Sequence, residues 1–158
     1  MAIQHADPTQ QSRPDTGVDG LAPGFNVDIL ELAGANDLFR RVISTGPNAQ
    51  VVLMSIPVGG EIGAETHPKT DQVLVFAEGS GVAVLNGEES AVAPGRLVHV
   101  PAGEHHNVIN RGTVDLRLYT VYAPPQHAIG TIHRTKAEAD ADENDHYVAP
   151  TTPKPTPA

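Results

Sequence analysis

Four side chains that can bind a metal ion lie in two stretches of the chain, and their spacing favours a single site. Glu65 and His67 are two residues apart, so both side chains point to the same face of an extended strand. Gln72 follows after four intervening residues, enough for a turn and a returning strand, and His106 lies in a later strand–turn–strand stretch. Two imidazoles and a carboxylate, with an amide oxygen as a fourth ligand, suit first-row divalent metals in octahedral sites.

The alternative to a metal site is a hydrogen-bonded network of these polar side chains, buried in a small barrel without a metal. Two imidazoles, a carboxylate and an amide directed at one point in an apolar interior require compensation. A cation supplies that compensation, so metal binding is the favoured interpretation.

Further polar residues near these stretches are candidates for supporting roles. Asn110 follows His106 by four residues and is expected to stabilise the turn or to orient His106 rather than to bind the metal. Tyr122 is expected in the core or in a pocket wall, and in the wall it is a candidate catalytic residue. His127 and His133 follow the last predicted strand, and either could be an acid or base if that segment crosses the barrel mouth.

Three polar neighbours are expected to face away from the site. Asp71 and His105 directly precede Gln72 and His106, so on extended strands they point to the opposite face. His99, between two valines, is expected on the sheet surface.

The elements that must position these residues are short strands. Nine segments between FNVDILEL (25–32) and VDLRLYTVYA (114–123) are rich in Val, Leu and Ile. Gly, Pro or Asn separates them at intervals of roughly 8–12 residues, which is typical of β-sandwiches and barrels. Asn86-Gly87 predicts a type I′ hairpin. No helical pattern separates the strands, so the region 25–134 is predicted to be all-β, as a Greek-key barrel or jelly roll.

Both ends of the chain differ in composition from this region. Residues 1–24 form a polar, turn-rich arm, and 135–158 are first acidic and then proline-rich. We expect disorder at both ends, apart from a short exposed helix within 136–146 and docking of part of the arm on a neighbouring subunit.

Composition excludes several classes of function. The 158 residues suit one domain. Ten basic and nineteen acidic residues give a net charge of -9, which disfavours nucleic-acid binding. There is no apolar run near 18 residues, no secretion signal and no cysteine, so we expect a soluble, cytoplasmic protein with no membrane span, disulfide or thiolate metal site.

The two stretches resemble the two motifs of the cupin superfamily. The second motif, G-x5-P-x-G-x2-H-x3-N, matches at every fixed position: Gly95, Pro101, Gly103, His106 and Asn110. The first, G-x5-H-x-H-x4-E-x6-G, matches in spacing: Gly59, Glu65, His67, Gln72 and Gly79. Glu65 replaces the first histidine and Gln72 replaces the glutamate, but both can still donate oxygen to a metal. The combination is similar to that of a group of small bacterial cupins.

The resemblance implies a single-domain cupin jelly-roll barrel that forms a homodimer. It implies one divalent metal per chain, Mn or Fe(II) in preference to Zn or Ni, bound by Glu65, His67, Gln72 and His106. The inner wall of a small pocket is expected from five apolar residues: Leu74, Phe76, Val108, Leu116 and Leu118.

The function expected from the resemblance is that of a metal-dependent enzyme acting on a small oxygenated or carbonyl compound. Dioxygenase, isomerase, decarboxylase and lyase chemistry all fit, including chemistry like that of manganese-dependent hydroxynitrile lyases. The alternatives are a non-catalytic module that binds or senses a small molecule, and a storage or stress protein with a structural metal.

Overall fold

The computed structural model describes residues 24–151, which contain nine strands and two helices. The strands are β1 (Arg40–Thr45), β2 (Gln50–Ile56), β3 (Asp71–Glu78), β4 (Gly81–Leu85), β5 (Glu88–Val92), β6 (Leu97–Val100), β7 (His106–Ile109), β8 (Leu116–Ala123) and β9 (Ile132–His133). The helices are α1 (Ile29–Ala35) and α2 (Lys136–Ala141).

The strands form two antiparallel sheets. One has six strands in the order β6-β3-β8-β2-β1-β9, and the other has three in the order β5-β4-β7. Buried side chains from both sheets belong to one hydrophobic core. The predicted all-β, jelly-roll architecture is therefore confirmed, and eight of the nine predicted segments contain an observed strand.

Side chains along the central strands alternate between the interior and the outer face of the sheet. On β3, Gln72, Leu74 and Phe76 are buried while the residues between them are partly exposed. On β8, Thr120 and Tyr122 continue the same inner face, and they pair in register with Leu74 and Gln72. Polar residues thus occupy one end of an inner face that is otherwise apolar.

The predicted hairpin at Asn86-Gly87 is present. Leu85 pairs with Glu88, which leaves a two-residue loop between β4 and β5. Asn86 has φ 48° and Gly87 has φ 83°, the positive values that a type I′ turn requires.

The prediction of a strand at 25–32 is wrong, because most of this segment belongs to α1. Asp28 caps the helix, and its side chain accepts a hydrogen bond of 3.1 Å from the Glu31 amide. Leu32 and Ala33 are buried against Leu53, so the helix packs outside the main core. The alternation of apolar and polar residues in FNVDILEL is too short to distinguish the period of a strand from that of a helix.

The C-terminal segment, which we define as residues 135–147, differs from the predicted disordered tail. It contains α2, as expected for a short exposed helix, with Thr135 as the N-cap. It then folds back so that the Tyr147 amide donates to the Gln126 carbonyl at 3.1 Å. The predicted disorder of 1–23 and 152–158 falls outside the described residues. Between residues 24 and 151, neither helix is long and apolar enough to cross a membrane.

Candidate metal centre

Glu65 and His106 are held together by their backbones. The Glu65 amide donates to the His106 carbonyl and the His106 amide donates to the Glu65 carbonyl, each at 2.9 Å. This antiparallel pair places the two side chains next to each other on one face. The Gly103 amide donates to the His67 carbonyl at 2.8 Å, so the turn of the second motif also fixes the first.

Three side chains converge as the sequence predicts. Glu65 Oε1 lies 3.2 Å from His67 Nε2 and 3.5 Å from His106 Nε2. The three potential ligand atoms all lie within 4.8 Å of one another. The imidazoles are buried and the Glu65 side chain is 30% exposed, so the group could bind one metal ion that remains accessible from the carboxylate side.

The orientation of His106 favours ligation through Nε2. Its Nδ1 is 3.0 Å from the Glu104 carbonyl oxygen, which can only accept a hydrogen bond, so Nδ1 carries the hydrogen. The Nε2 lone pair is then directed into the site. This is the arrangement in which backbone carbonyls orient metal-binding histidines.

Among the described residues, two buried nitrogens of the site face no polar group other than the Glu65 carboxylate. His67 Nε2 and His106 Nε2 are both inaccessible to solvent, and neither makes a well-aligned hydrogen bond. Buried polar atoms left in this state cost roughly 1–3 kcal/mol each. A cation in contact with both nitrogens and the carboxylate would remove that cost.

The electrostatics also favour a cation. Burial raises the pKa of Glu65, but the adjacent imidazoles of His106 and His67 lower it by more, to about 2. Burial lowers the pKa of His106, and the Glu65 carboxylate with the Glu104 carbonyl raises it by more, so the net change is upward. Both shifts show that the site attracts positive charge.

Gln72 lies on the inner face of β3, between Val100 and Tyr122 on the neighbouring strands. Its Nε2 donates to Thr120 Oγ1 at 3.0 Å, which assigns Oε1 as the opposite end of the amide. Oε1 is buried and accepts no hydrogen bond from any residue between 24 and 151.

Asn110 stabilises the turn after β7. Its amide donates to the carbonyls of Ile56 and Val114, both at 2.9 Å, and its Oδ1 accepts from the Gly112 amide. None of these bonds reaches His106, whose ring is oriented by Glu104 instead.

The residues expected to face away occupy surface positions. Asp71 is exposed and accepts from the Ala102 amide at 2.8 Å, and His99 is also exposed. His105 is 3.1 Å from Thr66 Oγ1 through Nδ1, outside the Glu65, His67 and His106 group.

Tyr122, His127 and His133 are all buried, but at different distances from the centre. The Tyr122 and His67 rings pack edge-on with their centroids 5.7 Å apart, and the Tyr122 and His127 rings pack edge-on with their centroids 4.9 Å apart. His133 lies farther along, with Nδ1 3.2 Å from Arg40 Nη1 and Nε2 2.8 Å from Asp142 Oδ2.

The five residues expected in the pocket wall belong to the hydrophobic core. Leu74, Phe76, Val108, Leu116 and Leu118 are each at most 1% exposed. Leu74 follows Gln72 and Val108 follows His106 on the same buried strand faces.

Sequence reasoning missed Arg40 and Asp145. Asp145 Oδ2 accepts from His127 Nδ1 at 2.7 Å and lies 3.8 Å from Arg40 Nη1. Paired arginines within a strand pattern at 40–41 were one available signal, since buried arginines require partners. Nothing in the acidic run distinguishes Asp145 from its neighbours.

Comparison with known proteins identifies the class. The Cupin domain model matches residues 52–122, which span both motifs. The chain is 42% identical over 126 residues to YrkC of Bacillus subtilis (strain 168), covering 76% of this chain and 68% of YrkC. The protein belongs to the cupin family.

Two further relatives share the region. The chain is 36% identical over 112 residues to L612 of Acanthamoeba polyphaga mimivirus, covering 68% of this chain and 70% of L612. The crystal structure of BH2720 from Bacillus halodurans superposes with a TM-score of 0.75 at 43% identity, covering 78% of this chain and 98% of BH2720.

Proposed function

We propose that this cupin is a metal-dependent enzyme that acts on a small oxygenated or carbonyl compound. Glu65, His67, Gln72 and His106 would hold one divalent ion, Mn or Fe(II) in preference to Zn or Ni. The observation that carries the proposal is the convergence of a carboxylate with two buried Nε2 atoms that make no well-aligned hydrogen bond with any described residue.

Gln72 is proposed as the fourth ligand because its buried Oε1 has no other partner. The bond from its Nε2 to Thr120 fixes the amide so that the oxygen, not the nitrogen, is free. Oxygen ligands of this kind favour Mn and Fe(II) over softer metals.

The ligand set would keep the site electrophilic. Glu65 is ionised at neutral pH because its pKa is about 2, and the other three ligands are neutral. A bound divalent ion would supply Lewis acidity, or oxygen activation if it is iron. One carboxylate against two positive charges leaves a net charge of +1, which supports polarisation of a substrate oxygen.

The surrounding residues would leave one side of the site open to a small molecule and would exclude water from the other side. The 30% exposed Glu65 marks the accessible side, while Tyr122 and the core leucines close the inner side to water. Such an arrangement admits a small molecule at the outer side of the site and keeps the ligands rigid from behind.

An enzyme requires a coordination position that solvent or substrate can reach. We expect the manganese-loaded protein to enhance water proton relaxation, and acetohydroxamate, a bidentate oxygen ligand, to reduce that enhancement. His106→Ala should abolish both effects, and His99→Ala, which removes an exposed histidine, should preserve them. Oxygen uptake and carbon dioxide release with small hydroxy and keto acids then test turnover.

A loaded metal without exchangeable water would contradict the enzyme proposal and support a structural metal. Exchangeable water without turnover would support the alternative of a small-molecule binding or sensing module. The homodimer stays a prediction, and sedimentation velocity of the full chain tests it.

A further inference from the structure

We propose that His127 is a positioning residue for the candidate metal centre, and that Asp145 of the C-terminal segment sets its orientation. The inference deepens the proposed function and rests on it in part, because the centre is the one described above.

Asp145 is bound on all sides by groups from other parts of the chain. Oδ2 accepts from His127 Nδ1 at 2.7 Å, and Oδ1 accepts from the Ala128 amide and from Thr131 Oγ1, both at 3.0 Å. Arg40 Nη1 is 3.8 Å from Oδ2, and only 8% of the Asp145 side chain is exposed. A buried carboxylate with these partners holds one position.

His127 is fixed at both its backbone and its ring. Gln50 accepts from the His127 amide and donates to the His127 carbonyl, both at 2.9 Å. Because the Asp145 carboxylate accepts from Nδ1, the ring cannot turn without losing that bond. Its Nε2 is buried and has no hydrogen-bond partner in the described part of the chain, so the bond to Asp145 is the side-chain hydrogen bond that orients the ring there.

The fixed ring of His127 abuts the centre through one residue. His127 packs against Tyr122 at 4.9 Å with an interplanar angle of 80°, and Tyr122 packs against His67 at 5.7 Å with an angle of 82°. Tyr122 is 1% exposed, and buried side chains are closely packed by their neighbours. A change in the position of His127 must therefore be passed to Tyr122 and then to the His67 ligand.

The same segment provides an internal control. Asp142 pairs with His133 at 2.8 Å, also as a carboxylate–histidine contact. The Asp142 side chain is 35% exposed, and His133 makes no ring contact with Tyr122. Asp142→Asn removes a comparable charge from the segment at a residue that reaches Asp145 only indirectly, through His133 and Arg40.

The first experiment uses metal-free, full-length protein labelled with ¹⁵N, and it records the imidazole resonances at neutral pH. Single histidine-to-glutamine variants assign them. Asp145→Asn should shift the resonances of His127 and also those of His67, whereas Asp142→Asn should shift those of His133 and leave His67 unchanged. Unchanged His67 resonances in Asp145→Asn, or equal shifts in Asp142→Asn, would overturn the proposal.

The second experiment uses cobalt(II) as a probe of the loaded centre. Asp145→Asn and His127→Phe should alter the visible absorption bands and weaken cobalt binding by about fivefold, less than the roughly tenfold or more expected for groups bonded directly to ligands. Asp145→Glu keeps the charge and should recover part of the affinity. Asp142→Asn should match the wild type.

The two proposals fail in distinguishable ways. If the wild type binds neither cobalt nor manganese, the metal function fails, while the His67 resonances still decide whether His127 positions that imidazole. If the wild type binds cobalt and all four variants give its spectrum and affinity, the positioning role is overturned and the metal function stands. If Asp145→Asn is unfolded by circular dichroism, His127→Phe, which retains a ring against Tyr122, decides the outcome alone.

Discussion

Gln72→Glu places a second carboxyl group at the position of the proposed fourth ligand, which is 1% exposed. The substitution should destabilise the metal-free protein and stabilise the metal-loaded protein. In the wild type, the amide donates to Thr120 and leaves Oε1 without a partner. The variant therefore changes the charge of the proposed ligand while it preserves the shape and the donor oxygen.

Without metal, the new carboxyl group should destabilise the fold. Burial raises the pKa of the new carboxyl group, so the cost grows as pH rises above the ordinary range of glutamate and vanishes below that range. At neutral pH we expect a loss of about 3 kcal/mol in the free energy of unfolding, because a buried group is neutralised or left unpaired. For a chain of this size that lowers the Tm by about 10 °C.

With manganese bound, the second carboxylate should stabilise the complex. The net charge of the ion and its carboxylates falls from +1 to zero, and the Coulomb attraction increases. We expect metal affinity to be equal or higher, and the Tm to return at least to the wild-type value. Turnover should be slower, because a neutralised ion is a weaker Lewis acid.

Gln50→Glu is the matched control. Gln50 is also fully buried and pairs with Tyr122, but it lies on the opposite side of Tyr122 and bonds to Thr45 and to the His127 backbone. Metal should not rescue this variant. Thermal unfolding of both variants with and without manganese provides the comparison, and an equal response to metal in the two would refute Gln72 as a ligand.

Three further predictions concern the parts that support the centre. Removal of residues 135–158 should lower the Tm, because the Asp145 contacts and the packing of α2 are lost, and calorimetry measures this. In metal-free protein, the stabilisation from Glu65 is present above its ordinary pKa of 4.5 and is lost as pH falls towards 2, while that from His106 is present below 6.5 and is lost as pH rises through its raised pKa. The loss in free energy of unfolding caused by Glu65→Gln should therefore be largest between pH 4.5 and pH 6.5, where both contributions are present. Asn110→Ala should cost about 2–3 kcal/mol with metal content unchanged, since it removes three hydrogen bonds to the turn.

The sequence predicted the part of the site that depends on local spacing. Glu65 and His67 converge as their spacing predicts, although the segment between β2 and β3 that carries them is not a regular strand. The isolated bridge between Glu65 and His106 and the turn ending at Gly103 bring His106 beside them. Glycine and proline at fixed positions specify such turns, so the second motif predicts the backbone geometry of the turn as well as the ligand residue.

The C-terminal segment could not be predicted in the same way. Its acidic composition suggests a solvated tail, and its order depends on partners far away in sequence, such as His127 and Arg40. The helix at 29–35 was missed for a related reason. Over seven residues, the spacing of apolar side chains does not distinguish a helix from a strand. The helix-capping residue Asp28 was the local signal that favoured a helix.

Metal stoichiometry tests the central claim most directly. The measurement is elemental analysis of untagged protein purified without chelators, for the wild type and for His67→Ala, His106→Ala and His99→Ala, with far-ultraviolet circular dichroism to confirm β structure. We predict one divalent ion per chain in the wild type and in His99→Ala, and loss of that ion in the other two. A wild type that stays metal-free when supplied with Mn or Fe(II), or full occupancy in both His67→Ala and His106→Ala, would contradict the account.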